Sequence, residues 1–164
     1  MSITGISVVN GTAIRIIQNK ISAFDWNILC GGKDGIIQEN ELFGSRNLGL
    51  DLSFFPPILQ TSAGDIIGSS IPATNWWVQD NYAHHNIVGY SVDSGANNNT
   101  LINNRGENNE IFDLSLSQEG PNALGIITPA SVDNFVDVRD NTEFTIQDCG
   151  DNNRVVGGVM IPCN

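Results

Sequence analysis

A chain of 164 residues is long enough for one domain with a buried core, and 40% apolar content excludes wholesale disorder. The formal net charge of −11 argues against nucleic acid and anionic membrane surfaces, which call for clustered Lys and Arg, whereas the seven basic residues are scattered from Arg15 to Arg154. No apolar run approaches the roughly 18–20 residues of a membrane span.

The opening Met1–Gly5 lacks the basic and apolar regions of a signal peptide. A strand pattern begins almost at once, at Ile3–Val9, leaving no room for a cap over a first coil. The expectation is a piece of a longer, extracellular or surface-associated chain, or an uncapped N-terminal coil that stacks on a partner domain or on a second copy.

A repeat then organises the chain. I-I-Q-N-K-I at Ile16–Ile21 aligns with I-Q-E-N-E-L at Ile37–Leu42, which sets Asn19 under Asn40, a step of 21. W-V-Q-D-N-Y at Trp77–Tyr82 brings Asn81 a further 41 along, about two steps, and L-I-N-N-R at Leu101–Arg105 brings Asn104 another 23. T-I-Q-D-C at Thr145–Cys149 lies about two steps beyond Asn104. A period of 21–23 is too short for helical repeats and suits strand-based solenoids; the leucine-rich scaffold cannot be traced. Gly and Asn interrupt every would-be helix, and β-branched residues fill the apolar runs.

A second strand set falls between these units: Gly5–Val9, Asn27–Cys30, Leu48–Leu52, Ile87–Val92, Phe112–Leu116 and Phe135–Val138. In Leu48–Leu52 the leucines would face inward and Asp51 outward, the period of a half-buried strand. The expected fold is all-β: a right-handed parallel β-helix of about seven coils of 20–23 residues, one domain over residues 1–164. The recurrent asparagines would take the sharp bends between sheets and form a hydrogen-bonded ladder between coils. Prolines at Phe54–Pro57 break the period, so residues 53–75 read as an irregular excursion, and Glu119–Pro129 as a second. Residues 149–164 read as a last coil or a lid over an open sheet edge. Cys30 reads as a small buried hydrophobe; Cys149 and Cys163 could form a staple in an oxidising compartment.

The run Q-D-N-Y-A-H-H-N-I-V-G-Y-S-V-D-S-G-A-N-N-N-T-L-I-N-N-R-G-E-N-N-E-I-F-D-L-S-L at Gln79–Leu116 resembles right-handed parallel β-helix proteins of the pectate-lyase-like class. The resemblance covers about half of the chain well and implies right-handedness and an association with carbohydrate. The class holds lyases, hydrolases and epimerases beside non-catalytic surface and spike proteins. None of its catalytic signatures maps onto these positions, so no catalytic residue is carried over.

Three groups could carry chemistry. Asp51, Asp93, Asp113 and Asp137 fall on the second strand set and, if stacked, would make an outward column of acids. Such a column could hydrolyse glycosides or bind calcium through oxygen, though a solvated acidic face is the commoner meaning. Trp76 and Trp77 would face opposite ways on a strand, one packed in the core and one free to stack on sugar rings. His84 and His85 would sit at an exposed corner, with Asp80 able to orient His84. Spacing for a structural zinc site is absent. The favoured expectation is a non-catalytic surface or scaffold module that binds polysaccharide through Asp51, Asp93, Asp113, Trp76 and Trp77. The alternative is a polysaccharide-active enzyme using acids on one sheet, with calcium as its cofactor.

Overall fold

The computed structural model describes residues 4–53, 59–60, 66–67, 71–121 and 127–163. Among them there is strand but no helix. The chain visits three sheets in rotation. The first round is β1 (Thr4–Thr12), β2 (Arg15–Ile17) and β3 (Lys20–Ser22); the second is β4 (Trp26–Lys33), β5 (Ile36–Gln38) and β6 (Glu41–Phe43). The third begins with β7 (Leu48–Leu52), passes through an antiparallel pair, β8 (Leu59–Gln60) and β9 (Ile66–Ile67), and resumes with β10 (Trp77–Gln79) and β11 (Tyr82–His84). The fourth is β12 (Val88–Val92), β13 (Thr100–Ile102) and β14 (Arg105–Glu107). The fifth holds β15 (Phe112–Leu116), the antiparallel pair β16 (Gly120–Pro121) and β17 (Ile127–Thr128), and β18 (Phe135–Val138). β19 (Thr145–Asp148), β20 (Arg154–Gly157) and β21 (Val159–Met160) complete the chain.

Strand order is β1-β4-β7-β12-β15-β19-β21 in the first sheet, β2-β5-β10-β13-β18-β20 in the second and β3-β6-β11-β14 in the third. Every pairing within these sheets is parallel. Like stacks on like along each column. Ile16, Ile37, Val78, Leu101 and Val136 form one inward file of the second sheet. Cys30, Leu52, Val92 and Leu116 form one of the first, all fully buried. Cys30 is a free thiol in this file, as its sequence context suggests, and burial pushes its pKa up. Tyr90 also lies in the core. Its hydroxyl shares one proton between the carbonyls of Asn81 (2.9 Å) and Arg105 (3.1 Å). The third-sheet file there has shrunk to Ala83 and Gly106, and the Asp113 side chain fills the space a side chain at Gly106 would need.

The asparagine ladder is present on the four expected residues. Asn19, Asn40 and Asn81 each donate from both the backbone N–H and Nδ2 to Oδ1 of the next, at 2.9–3.1 Å, ending on Asn104. Two more ladders run alongside: Asn99–Asn134–Asn153, and Asn86–Asn109. The expected backbone role is corrected, however. The left-handed conformation belongs to the residue before each ladder asparagine: Gln18, Glu39, Asp80 and Asn103, with φ between 52° and 57°. The bend needs one residue to reverse the chain and the next to point inward, where an amide can bond to the rungs on either side. Buried Gln or Glu could not do this without a longer stem to pack, whereas the bending position faces solvent and tolerates any polar side chain able to bear the left-handed cost, about 1–2 kcal/mol.

Two expected strand positions change sheets. Phe135–Val138 pairs with β13 in the second sheet rather than continuing the set of Leu48–Leu52, and Thr145–Asp148 pairs with β15 in the first. The cause is that the third sheet stops at β14. From β18 the chain turns through residues 139–144 straight into β19, so this round loses a side and the period slips. Residues 149–164 supply β20 and β21 to the second and first sheets, and Cys149 and Cys163 are joined by a disulfide. The expected excursion at 53–75 lies mostly outside the described residues.

Candidate functional site

The acids expected to stack in one column do not. On the outer face of the first sheet Asp51 aligns with Leu29 on one side and Ser91 on the other, and Ser91 with Ser115. Asp93 follows β12, its N–H donating to the Leu52 carbonyl (2.9 Å). Asp51 is only 5% exposed, where a solvated position was expected. Burial, then the neighbouring Asp93 charge, hold its carboxyl well above the usual carboxylate range; burial raises Asp93 as well. Oδ1 of each has no hydrogen-bond partner. Asp93 lines a cleft of about 510 Å³ together with Ser94, Ser115 and Ser117.

Asp113 stands apart from this pair. Its Oδ1 accepts from Asn109 Nδ2 (2.8 Å), and its Oδ2 accepts from the N–H (2.9 Å) and hydroxyl (3.0 Å) of Thr145. It therefore closes the Asn86–Asn109 ladder. Asp137 is in the second sheet, gripped by Arg139, whose guanidinium hydrogen bonds hold its pKa down. Among the described residues no three His, Cys, Asp or Glu side chains converge within reach of one metal ion. Asp51, Asp93 and Asp113 thus do not form the carboxylate set from which calcium draws its oxygen ligands.

The two tryptophans divide as alternation requires. Trp76 is 1% exposed, and its Nε1 donates to the Gly32 carbonyl (3.0 Å). Trp77 is 44% exposed on the outer face of the second sheet, with Ile36 and Thr100 on either side. Its Nε1 donates to Gln79 Oε1 (2.7 Å), and Gln79 aligns with Gln38 on the neighbouring strand. The result is one open indole beside a pair of amides, Gln38 and Gln79. Asp137 shares this face, two strands beyond Gln79 in the file Gln38, Gln79, Ile102, Asp137; Asp51, Asp93 and Asp113 do not.

The third sheet carries a cluster that sequence reasoning largely missed. Down its outer face run Lys20, Glu41, Tyr82 and Arg105 in one file and Ser22, Phe43, His84 and Glu107 in the next. Phe43 and His84 rings stack at 5.2 Å, His84 and Tyr82 at 4.3 Å. Lys20 Nζ covers Phe43 and the Arg105 guanidinium covers Tyr82, at 5.2 and 4.7 Å from the ring centres. Each ring face in this pile is thereby occupied by a neighbour or a cation. His84 is turned to Glu41 (3.3 Å), not to Asp80, and ends β11; His85 takes the left-handed corner. Nδ1 of the two histidines are 2.8 Å apart, so one ring donates while the other accepts. The Lys20 ammonium bonded to Glu41 lowers the pKa of that acid, and the Tyr82 hydroxyl, aided by Arg105, lowers that of Glu107. Arg105 and Glu107 are two residues apart and Lys20 and Glu41 one round apart in the sequence, but only strand register brings the four charges into one pile.

The third sheet ends at a cleft of about 730 Å³, walled by residues 103–108 on one side and by Val138, Asp140, Asn141 and Glu143 on the other. No family model matches this sequence, and no curated protein or solved structure matches it.

Proposed function

We propose that the chain is a right-handed parallel β-helix of the pectate-lyase-like class, seven coils long, acting as a non-catalytic surface or scaffold module that binds carbohydrate on its second sheet. Seven strands in the first sheet and three sheets visited in rotation support the coil count. Right-handed crossovers are the near-universal choice for parallel connections. The Cys149–Cys163 disulfide favours an oxidising, extracellular or surface setting.

The observation that carries the binding reading is Trp77. Its indole is the exposed aromatic of the second sheet, and the amides of Gln79 and Gln38 lie beside it to meet sugar hydroxyls. The carboxylates argue against turnover. Hydrolysis by a carboxylate pair needs one acid kept protonated within reach of substrate. Glu41 and Glu107 are held ionised by their donors, Asp113 is saturated, and Asp51 is buried. Asp93 is the exception. Its raised pKa and its place on a cleft favour the second reading, a polysaccharide-active enzyme working on the first sheet.

Titrating neutral and uronate oligosaccharides while following tryptophan fluorescence separates these readings. Binding should shift the emission of Trp77, Trp77→Ala should weaken binding at least about tenfold, the loss of one stacking contact, and no reducing ends or unsaturated products should accumulate. Product formation abolished by Asp93→Asn would establish the enzyme instead.

A further inference from the structure

We propose that the open edge of β14 takes up an extended peptide segment as a fifth parallel strand of the third sheet, and that the segment carries an asparagine followed by Lys or Arg. The first and second sheets run on past the fourth round, through β15, β19 and β21 and through β18 and β20, while among the described residues β14 is the last strand of the third. An edge strand leaves every second residue's N–H and C=O unpaired, and strand addition uses those groups. Arg105 N–H already donates to the Asn81 carbonyl, and Glu107 accepts from His85 N–H. Alternation therefore leaves Gly106 facing outward. In front of it lies the 730 Å³ cleft, whose far wall is the turn that bypasses the third sheet. A strand added at the usual spacing of about 4.8 Å would occupy that gap.

The ladder is unfinished at the same place. Asn19, Asn40 and Asn81 each give two donors to the next asparagine. Asn104 keeps the backward Nδ2 bond to the Val78 carbonyl (2.9 Å) that Asn40 and Asn81 also make to Ile16 and Ile37, but no ladder asparagine follows it among the described residues. The parallel ladder beside it is closed, because Asp113 receives Asn109. An incoming asparagine aligned with Asn104 would complete the first ladder. The charge of the cleft sets the following residue. Glu107 is matched by Arg105, and Asp113 by Thr145. Asp140 and Glu143 on the far wall make no direct ion pair among the described residues, although the Asp140 charge acts at longer range on Arg139. A Lys or Arg after the asparagine would extend the Lys20–Glu41–Tyr82–Arg105 file, with the Asp140 and Glu143 carboxylates of the same cleft offsetting the charge of Arg105 beside it, as Lys20 follows Asn19 and Arg105 follows Asn104 in the chain itself.

The probe is a capped peptide with the sequence of residues 15–24, R-I-I-Q-N-K-I-S-A-F, which presents that pair ahead of a strand. Titrated into the whole protein, it should shift the Gly106 and Asn104 amides in NMR spectra and slow hydrogen exchange at Gly106. In the register that aligns its Asn with Asn104, the amide of its Ser points at β14 and that of the Ile just before the Ser points away. N-methylation at the Ser should weaken binding about tenfold, the worth of one hydrogen bond of about 1.4 kcal/mol, and N-methylation at that Ile should leave it within about twofold. Asp140→Lys with Glu143→Lys should weaken it about tenfold again, with an unchanged melting temperature. Equal loss from both N-methyl peptides overturns the proposal. So does the absence of any Gly106 response at millimolar peptide, or an oligosaccharide that protects Gly106 in the peptide's place. The Trp77 surface plays no part in these readouts.

Discussion

The outer faces of the first and third sheets are built alike, from parallel strands in register, yet their carboxylates sit in opposite states. On the third sheet Glu41 and Glu107 each stand beside a donor, Lys20 for one and Tyr82 with Arg105 for the other, and both pKa values fall. On the first sheet Asp51 and Asp93 have serines and each other for company, and both rise. What differs is the neighbouring file: in a stacked sheet each side chain meets the residues one round above and below, so the state of an acid depends on what the coil register brings alongside. The same register that pairs Glu41 with Lys20 pairs Asp51 with Leu29 and Ser91. A carboxylate with a cation alongside stays charged and solvated. One covered without a cation is pushed toward its neutral form.

The largest change should come from removing the frame common to both faces. Asn81→Ala deletes a rung that donates to Asn104, Ile37 and Gln79 and accepts from Asn40. With several buried groups left unpaired at roughly 1–3 kcal/mol each, a loss of about 3–5 kcal/mol is expected in urea unfolding. A loss under about 1 kcal/mol would mean that the ladder is not what holds the coils in register.

A smaller effect, of opposite sign, should follow from Asp93→Asn. A carboxyl whose pKa is raised by folding binds protons more readily in the folded state. Its stabilising contribution is therefore complete below the unfolded value, near about 3.9, and is lost as pH rises through the folded one. The wild type should gain stability on acidification from neutral pH toward that value. Asp93→Asn should flatten this rise and raise the melting temperature at neutral pH by roughly 2–4 °C, or about 1 kcal/mol at this size. A variant that melts lower at neutral pH would show that the charged pair is compensated.

The smallest effect should be that of Glu107→Gln. A carboxyl lowered by folding contributes stability above the unfolded pKa, near about 4.3, and loses it as pH falls through the folded value. Because this acid is solvated, the melting temperature at neutral pH should not change measurably. The sharper readout is Tyr82. Its phenol is held above the ordinary range chiefly by the bond to Glu107, so spectrophotometric titration of the variant should find a tyrosine ionising at lower pH. An unmoved titration curve would break the contrast drawn between the two faces.

Much of the architecture could be read from residue pattern because a stacked fold repeats its local chemistry. Asn19, Asn40, Asn81 and Asn104 recur at multiples of one coil, and a buried amide that must bond upward and downward leaves little choice of residue type. Leu50 and Leu52 alternate with Asp51 for the same kind of reason, since a strand with one core face has period two. Adjacency on a strand likewise settled that Trp76 and Trp77 would part, although not which would be buried. The pattern failed where the round changed length. After β14 the third side drops out, so Phe135–Val138 and Thr145–Asp148 look in sequence like members of sheets they do not join. The outward acids failed for a related reason. Alternation tells which face Asp51 takes, but its covering and its partner come from other rounds.

The sequence by itself determined the strands, their inward files and the ladder asparagines, because each follows from contacts that recur every 21–23 residues along the chain. Only the tertiary structure decided what lies across a file: that Lys20, Phe43, His84, Tyr82 and Arg105 form one pile, that Asp51 and Asp93 share a covered place while Asp113 closes a ladder, and that the third sheet ends at an open edge. Those contacts join residues from different rounds, and their chemistry depends on relative register and on coverage by other segments, which no local spacing encodes.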